Sequence, residues 1–158
     1  MKLLLGCGDE VRPGWVHHDR ELHSPHVDVA HDLEVRPWPF PSNAVARIAA
    51  MDVLEHLWDT VGFFDECHRI LRPGGRLELR VPHWQGKNAW IDPTHKRAFH
   101  PETFAYFDPE TNWGTMFGKF YTRLVWRLVY VFEDGERIEA ELEKVHDGIA
   151  PETGAGTT

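Results

Sequence analysis

Short apolar runs, separated by polar segments rich in glycine and proline, divide the first half of the chain into candidate strands. Uninterrupted apolar runs of this kind are typical of parallel strands that are covered on both faces. Residues 76–81 differ, because apolar and charged positions alternate there as they do in a half-exposed strand. The pattern therefore predicts strands over residues 2–5, 15–18, 27–30, 45–51 and 76–81.

One stretch has the spacing of an amphipathic helix. From Asp59 to Leu71 the apolar side chains recur at three- and four-residue intervals, with Val61 and Phe64 on one stripe. The Arg-Pro-Gly-Gly segment at 72–75 can end this helix, because proline does not continue it and glycine readily adopts a left-handed turn. We expect the helix to connect the fourth and fifth strands.

The chain is predicted to end in a hairpin. An Asp-Gly dipeptide at 134–135 separates two strand-like runs, residues 120–132 and 137–145, and this dipeptide is a strong turn signal between strands. Strands that alternate with helices predict a parallel sheet, and the hairpin adds antiparallel edge strands. We therefore predict an α/β fold, a three-layer Rossmann-like sheet that is mostly parallel and has a C-terminal antiparallel hairpin. Ligands bind at the carboxyl ends of the strands in such sheets.

Two segments lack a regular hydrophobic period. Residues 83–113 contain many aromatic side chains, and we expect an irregular but ordered segment there. The end of the chain is rich in Gly, Thr and Pro, which is typical of frayed termini. The sequence thus predicts one domain over residues 1–147 and a flexible tail over residues 148–158.

Composition and charge limit the kinds of molecule that the protein is expected to bind. Hydrophobic residues make up 42% of the chain and charged residues 27%, as in a globular domain, and the formal net charge of -8 disfavours a phosphate backbone. No apolar run is long enough to span a bilayer. Cys7 and Cys67 form no CxxC pair, which suits free thiols in a reducing cytoplasm. We expect a cytoplasmic protein with a small-molecule substrate, and the sequence leaves its oligomeric state open.

A glycine turn follows the first strand. Gly6, Cys7 and Gly8 come directly after Leu5, and glycine lets the backbone turn sharply and approach a ligand closely. Asp19 follows the second strand, where a carboxylate can accept both ribose hydroxyls of a nucleoside. A dinucleotide fold would place its acid about 20 residues beyond the glycines, so a nicotinamide cofactor is disfavoured. Each feature alone is also compatible with an ordinary surface turn.

Three further segments complete an ordered pattern. They are Asp32-Leu33, the stretch MDVLEHL that begins at Met51, and ECHRILRPGGRL at 66–77. Taken in order with the glycine turn, they resemble the class I S-adenosylmethionine-dependent methyltransferases, in the type 11-like branch that reads roughly LGCG, GW, VD, DL, PFP, VLEHL, LRPGG. The likeness extends over about residues 3–83.

The resemblance implies S-adenosylmethionine as the cofactor and a binding site formed by strand ends. The residues expected to line it are Gly6, Cys7, Gly8, Asp19, Asp32, Leu33, Met51 and Asp52. The glycine turn would lie against the methionine part of the cofactor, Asp19 would hold the ribose, and residues 32–33 would hold the adenine. Residues 51–52 would line the cofactor from the fourth strand.

The chain has 11 histidines, which raises the question of a metal. His83, Asp92, His95 and His100 fall in the irregular segment, and their side chains are of types that bind zinc or another divalent ion. Their spacing matches no compact metal motif, so we expect them to pack or hydrogen-bond around a substrate pocket, with no metal bound. The Glu-His pair at 55–56 is similarly expected to begin a helix and face its neighbours.

These observations predict an S-adenosylmethionine-dependent methyltransferase acting on a small-molecule acceptor. The candidate general bases are His83, at the end of the fifth strand, and His95, while Asp92 could orient either imidazole. Because residues 83–113 follow the fifth strand, we expect them to form the acceptor side of the pocket. Two alternatives stay open: a non-catalytic module that binds the cofactor or a partner, and a metal-binding protein on the same scaffold.

Overall fold

The computed structural model describes the backbone of residues 1–149 and the side chains of residues 1–145. Its strands are β1 (Lys2–Leu5), β2 (Val16–Asp19), β3 (Val29–Ala30), β4 (Val45–Met51), β5 (Leu71–Pro82), β6 (Leu124–Glu133) and β7 (Arg137–Ile149). Its α-helices are α1 (Thr60–Ile70), α2 (Asn88–Ile91) and α3 (Asn112–Phe117), and three 3₁₀ turns cover Leu54–His56, Pro101–Phe107 and Gly118–Phe120. β7 extends two residues into the predicted tail, and residues 150–158 lie outside the described residues.

The strands form one seven-stranded sheet in the order β3-β2-β1-β4-β5-β7-β6. β1 to β5 are parallel, whereas β7 lies antiparallel between β5 and β6, with Leu79 opposite Ala140. The hairpin turns at Asp134, whose carboxylate accepts hydrogen bonds from two backbone N–H groups, and at Gly135, which has a φ of +84°. The predicted α/β fold, with its mostly parallel sheet and C-terminal antiparallel hairpin, is confirmed.

The main hydrophobic core lies on the face of the sheet that α1 covers. Alternate residues of β5, including Leu77 and Leu79, point into it and are buried. From α1, Phe64 stacks on Phe107 at a ring separation of 3.8 Å and meets Trp126 of β6 edge-on at 6.0 Å. Aromatic pairs in these geometries add stability beyond the area they bury. The helix, the 101–107 turn and the hairpin are therefore joined through one aromatic cluster.

The other face of the sheet carries charges at the alternate positions of β4, β5 and β7. Arg47 pairs with Glu78 and lies 3.3 Å from Glu141, and Arg76 contacts Glu141 and Glu143 at 2.6 Å. We call these five residues the charged ladder. Their side chains stay partly exposed, so each pair contributes modestly, about 0–1 kcal/mol.

The helices differ in detail from the sequence expectation. The Asp59 side chain caps α1 by accepting a hydrogen bond from the backbone N–H of Gly62 at 2.8 Å, and the helix stops at Ile70, one residue before the predicted end. Leu71 is already extended and begins β5, and Gly74 adopts the predicted left-handed conformation, with a φ of +73°.

The segment predicted to be irregular, residues 83–113, contains short helical elements instead. Asp108 anchors it to the hairpin, because its carboxylate accepts a hydrogen bond from the backbone N–H of Leu128 at 2.8 Å. Local periodicity does not reveal helices of this length, because tertiary contacts stabilise them. Among the described residues, no helix is both long and apolar enough to cross a lipid bilayer.

Candidate cofactor and acceptor site

The turn after β1 requires glycine at two positions. Gly6 and Gly8 have φ angles of +58° and +51°, in the left-handed region that side chains with a Cβ rarely adopt. A methyl group on Gly6 would lie 2.5 Å from Cγ2 of Val53, whereas no atom lies within 4 Å of the corresponding position at Gly8. The turn therefore packs against the exit of β4 on one side and faces open space on the other.

Asp19 closes this turn from the neighbouring strand. Its Oδ2 accepts a hydrogen bond from the Gly8 backbone N–H at 2.8 Å and lies 3.9 Å from the Cys7 sulfur, while its Oδ1 accepts from the Arg20 N–H at 2.6 Å. A carboxylate has about four acceptor positions, so lone pairs remain for further donors. Burial, and then the charge of Asp19, raise the pKa of the Cys7 thiol.

Two histidines that the sequence did not single out also contact this turn. The Nε2 atoms of His23 and His26 lie 3.0 Å and 2.8 Å from the Gly8 carbonyl oxygen, so both rings donate to the same acceptor. The hydrogen bond to Gly8 raises the pKa of His23. The loop after β2 is thereby held against the glycine turn.

Asp32 and Leu33 follow β3 at the same edge of the sheet. The Asp32 carboxylate accepts a hydrogen bond from the Glu34 N–H at 3.0 Å and lies 3.4 Å from the Arg20 guanidinium. The Leu33 carbonyl accepts from the Trp38 indole at 3.0 Å, and its side chain packs against the main core. An acid and an apolar side chain are thus adjacent where the adenine was expected.

Met51 and Asp52 lie at the end of β4. Met51 packs against a second, smaller apolar cluster, which contains Cys7 and lies on the face of the sheet that carries the charged ladder. Asp52 has a φ of +57°, which is uncommon for a residue other than glycine, although aspartate adopts it more readily than most side chains do. Its carboxylate is held by the Arg80 guanidinium, and this bond raises the pKa of Arg80. No local sequence signal indicates this pair, because 28 residues separate its members.

His83 lies at the end of β5, as predicted, but its ring is buried. Nε2 is 2.8 Å from the Glu133 carboxylate at the end of β6, and Nδ1 accepts a hydrogen bond from the Gln85 N–H at 3.2 Å. The carboxylate therefore fixes the tautomer that carries its proton on Nε2 and its lone pair on Nδ1. Within the described part of the chain, neither of these bonds of His83 involves His95 or Asp92, the other two catalytic candidates.

The other two catalytic candidates lie beside the 54–56 turn. His95 packs edge-on against His56 with ring centroids 4.7 Å apart, and its Nε2 is 3.8 Å from the Asp92 carboxylate. Glu55 is buried beneath them, and burial raises its pKa to about 8. Burial, together with the neighbouring His95, lowers the pKa of His56. From the sequence, residues 55–56 were expected only to begin a helix.

Five of the seven aromatic side chains of residues 83–113 fall into two groups, buried and exposed. Phe99, Phe104 and Phe107 are buried in the main core, whereas Trp84 and Trp90 are exposed. The Trp90 indole N–H donates to the Trp84 carbonyl at 2.9 Å, which holds the two residues together. Of these five side chains, only the two tryptophans are available to face an acceptor.

Comparison with known proteins agrees with this geometry. Residues 13–79 match the model of the methyltransferase domain family. The chain is 35% identical over 77 residues to a protein of Mycolicibacterium smegmatis named "Probable S-adenosylmethionine-dependent methyltransferase", with 46% of this chain and 30% of that protein aligned. A protein of Mycobacterium tuberculosis with the same description is 34% identical over 68 residues, which cover 40% of this chain and 25% of that protein. The chain thus spans less than a third of the length of these curated relatives.

Solved structures share the fold over nearly the whole chain. A structure titled as an S-adenosylmethionine-dependent methyltransferase from Archaeoglobus fulgidus superposes with a TM-score of 0.62 at 14% identity, covering 90% of this chain and 85% of that one. The YcgJ protein from Bacillus subtilis gives 0.60 at 14% identity, covering 92% of each chain. The chain therefore shares the fold of these two structures. Over residues 13–79 the sequence matches the methyltransferase domain family, so the predicted resemblance is confirmed.

Proposed function

We propose that this chain binds S-adenosylmethionine at the carboxyl ends of β1, β2 and β4 and transfers its methyl group to a small-molecule acceptor. The observation that carries the proposal is the hydrogen bond between the Asp19 carboxylate and the Gly8 N–H. It joins the predicted ribose-binding acid to the predicted methionine-binding turn. The family match and the shared fold support the same cofactor.

The side chains and backbone at this edge fit the chemistry of that cofactor. Asp19 keeps acceptor positions that two ribose hydroxyls can use, and the backbone at Gly8 faces open space where a side chain would stand. Asp32 and Leu33 supply a hydrogen-bonding group and an apolar surface for the adenine, and residues 51–52 line the site from β4. The bound cofactor supplies an electrophilic methyl group on a sulfonium centre.

On the acceptor side we propose that His83 takes the proton from the nucleophile. His95 is the other candidate base, and Asp92, whose carboxylate lies 3.8 Å from His95 Nε2, is the candidate for orienting it. The Glu133 carboxylate holds the His83 ring through Nε2, so the lone pair on Nδ1 of His83 is the basic site. In many enzymes a catalytic base is oriented by a further side chain in this way. The acceptor proton would have to replace the Gln85 N–H at that nitrogen. The exposed pair Trp84 and Trp90 would then provide an apolar surface beside it.

The net charge of -8 favours a small molecule over a nucleic acid as the acceptor. The two free, buried cysteines support a cytoplasmic location, which we also propose.

Calorimetry with S-adenosylhomocysteine tests the cofactor site. Asp19→Asn should weaken binding by about 1–3 kcal/mol, or roughly 5- to 150-fold, because the ribose hydroxyls lose a charged acceptor. Glu21→Gln is the matched control, since it removes the same charge from an exposed side chain two residues away. Equal affinities for the Asp19 variant and the wild type would refute the assignment of Asp19.

Turnover separates catalysis from the alternative, a non-catalytic module that keeps the cofactor pocket. Incubating the protein with methyl-labelled S-adenosylmethionine and a library of small acceptors should produce S-adenosylhomocysteine and a labelled product. Cofactor binding without labelled product for any acceptor would favour the non-catalytic module.

A further inference from the structure

A cluster outside the predicted cofactor site brings together three side chains that can ligate a metal. Glu55 and His56 lie in the turn after β4, and His95 comes from the loop after α2. The Lys96 N–H donates to the Glu55 carbonyl at 2.7 Å, which fixes the two segments side by side. One ligand atom from each of Glu55, His56 and His95 lies within 4.8 Å of the others.

The Glu55 carboxylate is the most unusual member of the cluster. The residue is 1% exposed, and neither carboxylate oxygen has a hydrogen-bond partner among the residues that the structure describes. Burying an unpaired carboxylate costs several kcal/mol, so proteins nearly always supply a hydrogen-bond donor or a cation. Both oxygens are therefore free to bind a cation, because no side chain of the described part of the protein pairs with them.

The hydrogen bonds around the two imidazoles leave their Nε2 atoms available. The Thr94 hydroxyl donates its one proton to the Asp92 carboxylate at 2.7 Å, so it can only accept from His56 Nδ1, which lies 2.9 Å away. Nδ1 of His95 faces the Ala89 carbonyl oxygen at 3.4 Å, which can only accept. The hydrogen-bond partners thus favour a proton on Nδ1 and a lone pair on Nε2 in both rings, since the Asp92 carboxylate lies 3.8 Å from His95 Nε2, beyond hydrogen-bond distance.

We propose that Glu55, His56 and His95 bind one divalent transition-metal ion. Two neutral imidazoles and one carboxylate suit zinc and the neighbouring first-row ions, whereas calcium and magnesium prefer oxygen ligands alone. Ligands of a tetrahedral ion are about 3.4 Å apart, so binding would draw ligand atoms that lie within 4.8 Å of one another closer by at most about 1.4 Å. His56 and His95 are partly exposed, which leaves the remaining coordination position open towards solvent.

The outer contacts have the arrangement found around bound metals. Metal-binding histidines usually donate their second N–H to a carboxylate, a backbone carbonyl or a water molecule, and this bond fixes the ring. Here the Asp92 carboxylate orients His56 through Thr94, and the Ala89 carbonyl orients His95. Thr94 is therefore a positioning residue, and its loss should weaken metal binding without removing a ligand.

The test is a metal titration of chelator-treated protein without S-adenosylmethionine. We expect calorimetry with Zn²⁺ to give one high-affinity ion per chain, and Co²⁺ to give the visible absorption of a low-symmetry site. Glu55→Gln and His95→Ala should each weaken binding more than tenfold and abolish the Co²⁺ spectrum, and Thr94→Val should weaken it about 10- to 100-fold. His100→Ala is the matched control, because it removes an exposed histidine of the same segment that lies outside the cluster.

The variants distinguish a metal site at this cluster from binding by histidines elsewhere on the surface. Circular dichroism of each variant confirms that a lost site is not a lost fold, and Glu55→Gln preserves the shape of the side chain. Zn²⁺ affinity that is unchanged in Glu55→Gln and His95→Ala would assign binding to surface histidines and overturn the proposal, as would the absence of a high-affinity ion in the wild type. Because the titration is carried out without S-adenosylmethionine, the result does not depend on whether the protein methylates anything.

Discussion

Replacing Gly6 by alanine tests how the turn after β1 is built. The left-handed backbone at Gly6 costs an alanine about 1–2 kcal/mol. The added methyl would also stand 2.5 Å from Cγ2 of Val53, a β-branched side chain that is stiff and packed in the main core. Relieving that overlap should cost about a further 1–3 kcal/mol. Gly8→Ala is the matched control, because it has the same backbone strain but no atom within 4 Å of its methyl.

Urea and thermal denaturation of the protein without ligand would measure these costs. The expected result is that Gly6→Ala is less stable than Gly8→Ala by about 1–3 kcal/mol, or roughly 2–12 °C in Tm for a chain of this size. Val53→Ala removes the overlapping methyls, so the double variant with Gly6→Ala should be more stable than the sum of the two single effects predicts. Equal stabilities of the two glycine variants, or strictly additive effects with Val53→Ala, would refute the reasoning.

Two further predictions concern groups near the proposed site. His83→Ala should lower turnover by about 10²–10⁴-fold while leaving S-adenosylhomocysteine affinity nearly unchanged. Glu133→Gln should lower turnover by a smaller factor, because the His83 ring loses the carboxylate that orients it. Wild-type turnover in His83→Ala would remove it from the base role. Thiol labelling of the native protein should be slow at Cys7, and labelling of Cys7 should be faster in Asp19→Asn, because loss of the nearby charge lowers the pKa of the Cys7 thiol. Cys67 should not be labelled detectably, because burial raises the pKa of its thiol well above the usual range. Equal labelling rates in Asp19→Asn and the wild type would contradict the influence of Asp19 on the thiol.

The sequence revealed most of the sheet, because its signals are local. Apolar runs marked β1 and β4, and the Asp-Gly turn marked the hairpin, each within a residue or a few of the observed bounds. The glycine turn and Asp19 were also predictable, since backbone conformation demands glycine and the end of a strand places the acid. The hydrogen bond between Asp19 and Gly8 then follows from the parallel pairing of β1 with β2.

The remaining features depend on contacts between distant parts of the chain. Nothing near Asp52 indicates that Arg80 holds it, and the partner of His83 lies 50 residues further along. The Glu55 cluster was missed for the same reason, because the loop that brings His95 to it has no periodic pattern. Residues 101–107 pack against β6, and residues 112–117 pack against residues 101–107, so both helices depend on contacts that no local pattern shows.

The position of β7 has a consequence for how the chain folds during synthesis. β5 is a central strand, yet the neighbour on one of its sides is made more than 50 residues later. While the ribosome is still adding residues 83–136, β5 is an unpaired edge with exposed N–H and C=O groups and apolar side chains. β6 is synthesised before β7, but among the described strands it pairs only with β7 and cannot join the sheet before it. A nascent chain that stalls before residue 137 therefore presents an aggregation-prone edge, and a chaperone that shields it would act in this interval.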